Sequence, residues 1–190
     1  MTLDLLRLYL LAGLVVHKLV WEVLKRGPAP SRRGASESPV AMLLKGVKIL
    51  ILAGLIAQTV APEILPIAPD PRLLRILGVP LYTFGLGVAI LGRVQLGNNW
   101  ADIEAAQIVH HQSVVATGIY GYVRHPIYIG DLIVLLGLEL SLNSWFVLGV
   151  GVLVPYVVWR AVREERMLSE QLPGYDTYCA RTWRFVPFVM

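Results

Sequence analysis

Five apolar runs divide the chain, at residues 3–24, 40–60, 73–94, 127–142 and 145–162. Most of these runs are about long enough to cross a hydrocarbon core of roughly 30 Å as a helix; the fourth is shorter. The pattern predicts an all-α, polytopic integral membrane protein with five transmembrane helices. Only Asn143 and Ser144 separate the last two runs, so a tight turn there makes them a helical hairpin. Residues 1–190 read as a single membrane domain. Three N-terminal spans fill 1–94, and a polar loop, the hairpin and a tail fill 95–190.

The polar intervals differ in character. Residues 25–39 hold Lys25, Arg26, Arg32 and Arg33 among Gly, Pro and Ser, a flexible basic loop. Residues 61–71 hold Glu63, Asp70 and several prolines, a short acidic turn. Basic residues return from Arg160 onward, at Arg163, Arg166, Arg181 and Arg184. Positive residues favour the cytoplasmic side, which places the N-terminus outside and the C-terminus inside. The membrane would be the cell membrane for a bacterial source and the endoplasmic reticulum for a eukaryotic one. The first run begins with Asp4 and Arg7 and lacks a small-residue cleavage site, so it reads as a retained span. Five spans can fold as a monomer, and no internal repeat suggests an inverted-repeat transporter.

Composition agrees. Of the 190 residues, 56% are hydrophobic and 16% charged, against roughly 25% charged in soluble domains. The net charge of +4 lies in short segments between apolar runs, which suits a membrane surface rather than nucleic acid. A single cysteine, Cys179, excludes an internal disulfide and a cysteine-based zinc cluster. Adjacent histidines at 110 and 111 point apart and lack the spacing of a metal site. Gly85-Leu86-Gly87 lacks the third glycine and the preceding strand of a dinucleotide fingerprint, so small residues for close helix packing explain it better. His17, Lys18 and Trp21 fit an interfacial belt. Asp131 has two readings, a functional carboxylate inside a span or a solvated one at a helix start. Glu139 lies near the opposite surface with no evident role.

The chemistry concentrates in two places. Residues 95–124 form the longest polar connection, and its aromatic and apolar content argues against disorder. It ends in Thr117-Gly118-Ile119-Tyr120-Gly121-Tyr122-Val123-Arg124-His125, followed by Pro126 and an apolar run. Proline is suited to the first turn of a helix, so the loop ends at His125 and a helix begins at Pro126. Such an end carries free N–H groups and suits an anion; an interfacial belt of Tyr and Arg is the plainer alternative. The second place is the end of the fifth run, where Arg160 and Glu164 are four apart and share a helix face. A mutual surface pair would explain that spacing by itself. The reversal of the hairpin nevertheless brings this helix end to the side of His125. The tail, with alternating aromatic and basic residues to Pro187, reads as a lid.

Thr-Gly-Ile-Tyr (117–120), Arg-His-Pro-Ile-Tyr-Ile-Gly (124–130), Arg-x-x-x-Glu-Glu-x-x-Leu (160–168) and Gly-Tyr-x-x-Tyr (174–178) together resemble the isoprenylcysteine carboxyl methyltransferase family. That family has relatives among membrane phospholipid N-methyltransferases. The resemblance covers residues 107–187. It implies an integral membrane enzyme that uses S-adenosylmethionine (SAM) without a Rossmann domain and releases S-adenosylhomocysteine (SAH). By resemblance the cofactor site comprises Gln107, Gln112, Ser113, Val114, Val115, Tyr120, His125, Pro126, Ile127, Tyr128 and Glu164, and Arg160 contacts the substrate. Gln112 stands where the family commonly has His, and Leu-Pro-Gly-Tyr (172–175) where many members have Phe-Gly-x-x-Tyr.

The leading expectation is therefore methyl transfer from SAM to a lipophilic acceptor, a prenylcysteine-like carboxylate or another small hydrophobic molecule, with Arg160 and Glu164 as the catalytic residues, Arg160 orienting the acceptor and Glu164 holding the cofactor. Methylation of a phospholipid amine is the first alternative; it needs a base. A nicotinamide-dependent membrane reductase is the second, though such enzymes carry more spans. A small membrane scaffold or carrier is the non-enzymatic alternative.

Overall fold

The computed structural model describes residues 2–24, 39–60, 64–99 and 113–187. These residues form helices α1 (Leu3–Val23), α2 (Pro39–Val60), α3 (Arg72–Leu96), α4 (Pro126–Ser141), α5 (Val147–Gln171) and a five-residue α6 (Tyr175–Cys179). Among the described residues, 3₁₀ turns at Gly97–Asn99 and Gly118–Gly121 lie between α3 and α4. The described residues contain isolated bridges but no strands. The first four apolar runs match their helices to within about two residues. The fifth does not end where its apolar run ends: α5 continues through Glu164 and Glu165 to Gln171.

By length and composition, α3 is one helix able to cross a membrane, and 49–60 of α2 is a shorter apolar stretch. Helix α1 also carries Asp4, Arg7, Lys18 and Glu22, and α4 has only 16 residues. Large apolar side chains are exposed along α1 (Leu5, Leu8, Val15, Leu19), α3 (Leu73, Leu77, Phe84) and α5 (Leu148, Val152, Trp159). Apolar faces this extensive are expected against lipid rather than water.

The tightest packing is between α3 and α4, which run antiparallel. Gly78, Gly85 and Gly92 recur every seven residues on α3, and Gly130 and Gly137 do so on α4. A Cβ on Gly85 would stand 2.6 Å from the backbone nitrogen of Val134, and one on Gly130 would stand 2.6 Å from that of Ala89. Only hydrogen in place of the side chain permits backbones to approach so closely. Of the glycine pair in Gly85-Leu86-Gly87, Gly85 serves this contact, whereas a Cβ on Gly87 would meet open space.

Helix α1 seals one side of this pair. Leu6, Leu10 and Leu14 pack against Tyr82, Val134, Leu138 and Leu142. The Tyr82 hydroxyl donates to the Leu10 carbonyl at 2.6 Å, so the polar end of a buried ring is satisfied. At the α4–α5 turn, Asn143 takes a left-handed conformation (φ 57°), which Asn tolerates better than most residues. Its side-chain amide accepts from Ala68 N at 3.0 Å and donates to Ala68 O at 2.8 Å, docking the segment before α3. Glu139 departs from the expectation of a surface residue without a role. It is 4% exposed, and the Gln58 amide donates to it at 2.7 Å, tying α2 to α4.

Gly85→Ala should lower the thermal midpoint in detergent by the equivalent of about 1–3 kcal/mol, the usual cost of overpacking. Gly87→Ala should leave it unchanged or raise it, by about 1 kcal/mol at most. Equal midpoints for the two variants would contradict the seam.

Candidate functional site

Glu165 on α5 gathers three segments. Arg124 Nε donates to its Oε1 at 2.8 Å, and Arg184 Nε and Nη2 donate to its Oε2 at 3.0 and 2.8 Å. His125 Nε2 lies 3.1 Å from the same carboxylate. Burial pushes the Glu165 carboxyl up, but the hydrogen bonds from His125, Arg184 and Arg124 outweigh it and hold the group well below the usual carboxylate range.

The arginines come from the loop before α4 and from the tail, which are themselves paired by backbone. Arg124 N donates to Trp183 O at 2.8 Å, Trp183 N to Tyr122 O at 3.0 Å, and His125 N to Arg184 O at 3.2 Å. Arg124 Nη1 also donates to the carbonyls of Cys179 and Thr182. Gly174 (φ 83°) makes the reversal after α5, and the Tyr178 hydroxyl donates to Tyr120 O at 2.9 Å. The tail is thus docked through polar contacts on the loop and α5. The free cysteine, Cys179, lies within this docked tail, and burial pushes its thiol up.

Glu164, the neighbouring residue, faces a different set. The Tyr128 hydroxyl donates to its Oε2 at 2.8 Å, and His125 Nδ1 stands 3.8 Å from the same oxygen. The Arg160 guanidinium lies 5.9 Å from the centre of the Tyr128 ring. The His125 and Tyr128 rings are parallel to within 7° at 5.3 Å, and Phe185 from the tail closes on His125 at 5.7 Å. Burial raises the Glu164 carboxyl above its ordinary value, partly countered by His125, Tyr128 and Arg160. Two adjacent glutamates therefore have opposite settings. Glu165 is consumed in holding the scaffold, and Glu164 faces Tyr128 and His125 between the start of α4 and the end of α5.

Helix α4 begins as the sequence suggests, with His125 at the cap and Pro126 in the first turn, and the His125 side chain makes no capping bond. The N–H groups of that turn are thus left to other partners. Tyr120 is buried in the 3₁₀ turn, whose Ile119 N donates to Gln95 Oε1 at 2.8 Å. Burial keeps the Tyr120 phenol neutral by pushing it up. Ile127 is half-buried and packs with Pro126 toward Gly92.

The structure thus brings His125, Pro126, Tyr128, Arg160 and Glu164 to one place, with Tyr120 beneath. Ser113 is bonded to Asn99 at 2.7 Å beyond the end of α3, and Val114 and Val115 are half-buried after it. Gln107 and Gln112, like His110 and His111, lie outside the described residues. Sequence reasoning missed Glu165 as the anchor; the signal was its position beside Glu164 and the unexplained Arg184 in the tail. Asp131 pairs with His17 of α1 at 2.9 Å, and the His17 ring stacks on Trp21 at 4.0 Å.

A family model, phospholipid methyltransferase, matches residues 73–173, from α3 to the end of α5. The chain belongs to that family. A solved structure of a eukaryotic intramembrane Ras methyltransferase, isoprenylcysteine carboxyl methyltransferase, shares the fold, with a TM-score of 0.60 over 97% of this chain and 68% of that one, at 18% identity. This member of the phospholipid methyltransferase family is therefore a membrane methyltransferase, and the reductase and scaffold alternatives are set aside. Families of this kind generally draw the methyl group from SAM, and the clustered residues lie inside or beside the matched segment.

Arg184→Ala should loosen the tail by about 1–3 kcal/mol, the range for a charge-assisted hydrogen bond, read as faster tryptic cleavage after Arg181. The pH dependence has a fixed sign. Because the folded carboxyl of Glu165 is depressed, its contribution is complete above the ordinary value of 4.5 and is lost as pH falls through the lower folded value. Tail docking, followed by Trp183 fluorescence, should therefore persist through mild acid and fail only well below 4.5.

Proposed function

We propose that this protein transfers a methyl group from SAM to a lipophilic acceptor, with a carboxylate as the group methylated. In this reading the enzyme crosses the membrane five times, with α4 and α5 as a hairpin, the N-terminus outside and the Glu164 site on the cytoplasmic face. The observation that supports it most is the convergence of Glu164, Tyr128 and Arg160 beside the N-terminus of α4, which has no side-chain cap.

The residues present fit the cofactor. Glu164 is a half-buried acceptor suited to hydroxyl or ammonium groups. The first turn of α4 suits a carboxylate. The parallel rings of His125 and Tyr128 offer flat apolar surface. The residues proposed to hold SAM are Gln107, Gln112, Ser113, Val114, Val115, Tyr120, His125, Pro126, Ile127, Tyr128 and Glu164. When bound, SAM supplies an electrophilic methyl group on a sulfonium.

An ionised carboxylate needs no general base, so the protein's task is to position it, exclude water and stabilise charge. Correct orientation alone can remove about 7–11 kcal/mol of a two-component barrier. Arg160 orients the acceptor, since a guanidinium matches a carboxylate with two parallel donors. The faces of Tyr120 and Tyr128 favour a nearby cation by about 0.5–2 kcal/mol. Phe185 and the docked tail cover the His125 side and keep water out.

The family match favours one second reading, methylation of a phospholipid amine. An amine must lose a proton before attack, so that reaction depends on a base and has less use for Arg160.

Titration calorimetry with SAH should give saturable binding, weakened about tenfold to a hundredfold in Glu164→Ala, as expected for losing a bond to a charged group. Arg160→Ala should keep SAH binding within about threefold and lower kcat/KM for a prenylcysteine-like carboxylate by about a hundredfold. Unchanged turnover in Arg160→Ala would reject the carboxylate reading. Turnover confined to amines would select the second.

A further inference from the structure

The end of α3 touches three separate stretches of the proposed cofactor site without belonging to any of them. A Cβ on Gly92 would stand 3.1 Å from the Ile127 side chain and 3.3 Å from that of Pro126, at the start of α4. Gln95 lies three residues further on, and so on the same face of α3. Its Oε1 accepts from Ile119 N at 2.8 Å, in the 3₁₀ turn that carries Tyr120. Asn99, just past the helix, accepts from Ser113 N at 2.7 Å and from Ser113 Oγ at 3.2 Å.

We propose that Gln95 is a positioning residue of the methyl-donor site, whose side-chain oxygen fixes the Gly118–Gly121 turn and with it Tyr120. The inference rests on the proposed cofactor role of Tyr120. It does not involve Gln95 touching cofactor or acceptor.

The backbone is shaped to this side chain. Gly118 has φ 61°, and a Cβ there would fall 2.3 Å from Gln95 Oε1 and 2.6 Å from the amide carbon. Glycine alone takes that conformation at no steric cost while letting the chain fold over the amide. Ile119 N is among the first donors of the turn, where the turn itself offers no partner. Thr117 stands at the cap position and makes no side-chain bond there, so Gln95 supplies the acceptor from another helix. The Tyr178 hydroxyl holds the same turn from the tail, through Tyr120 O at 2.9 Å. Between these two supports the Tyr120 ring is 5% exposed, with Glu164, Arg93 and Tyr128 among its electrostatic neighbours. Gln95 stands on the helix that the glycine seam fixes against α4. The turn and the first turn of α4 are therefore set by one rigid element, which serves a site whose parts must keep their spacing.

Gln95→Met keeps the length of the side chain and removes the acceptor. SAH affinity, read by calorimetry, should then fall about fivefold to tenfold, as expected for one lost hydrogen bond. Gln95→Glu keeps an acceptor oxygen at the same reach and should stay within about threefold of wild type. Coupling separates positioning from plain stability. Tyr120→Leu should weaken SAH binding by itself, and adding Gln95→Met to it should cost less than about twofold more. Should Gln95→Met fail to fold by circular dichroism, Gly118→Ala tests the same contact by displacing the amide, and a loss of about fivefold to tenfold is again expected. No loss, an equal loss in Gln95→Glu, or a loss undiminished in the Tyr120→Leu background would overturn the inference while leaving SAH binding by wild type intact. Absence of SAH binding by wild type would remove the cofactor reading and this inference together.

Discussion

The close approach of α3 to α4 is the constraint on which the rest of the structure depends. Glycines at 78, 85, 130 and 137 leave room for backbone against backbone, and α4 is fixed in height and rotation as a result. Its first turn then stands at a set level, with Pro126 and Ile127 against Gly92 and Tyr128 turned toward α5. The seam rests on shape, as helix contacts in an apolar medium commonly do. The same rigidity carries Asp131 to His17 and Glu139 to Gln58, which link α1 and α2 to α4.

The site is assembled differently, by charge. Loop, helix end and tail meet at Glu165, where two arginines and one histidine converge on one carboxylate. A buried ion cluster of this kind is a weak source of net stability, because desolvation offsets much of the attraction. What it supplies is geometry. Removing one partner leaves the others buried and uncompensated, so alternative arrangements of the tail are costly. The neighbouring Glu164 is left as the carboxylate available to a ligand.

Much of this was legible in the chain. Pro126 after a polar loop marks a helix start by its missing N–H, and α4 begins there. The four-residue spacing of Arg160 and Glu164 placed both on one face, and both reach Tyr128. Asn143-Ser144 announced its turn. Other features were hidden for physical reasons. The heptad glycines specify a close contact but not its partner, so the pairing of α3 with α4 was not readable. Hydropathy marks where apolar sequence stops, not where hydrogen bonding stops, and α5 runs nine residues past its apolar stretch. Glu139 looked exposed because a carboxylate near a span end usually is; its burial depends on Gln58, eighty-one positions away.

We propose that the methyl donor binds between the start of α4 and the end of α5, against Glu164. A structure of the detergent-purified protein with SAH tests it most directly. Ligand density is expected in contact with Glu164 and over the first turn of α4, with the Glu165 cluster unchanged behind it. Density elsewhere, with Glu164 still closed against Tyr128 and no ligand near α4, would contradict it.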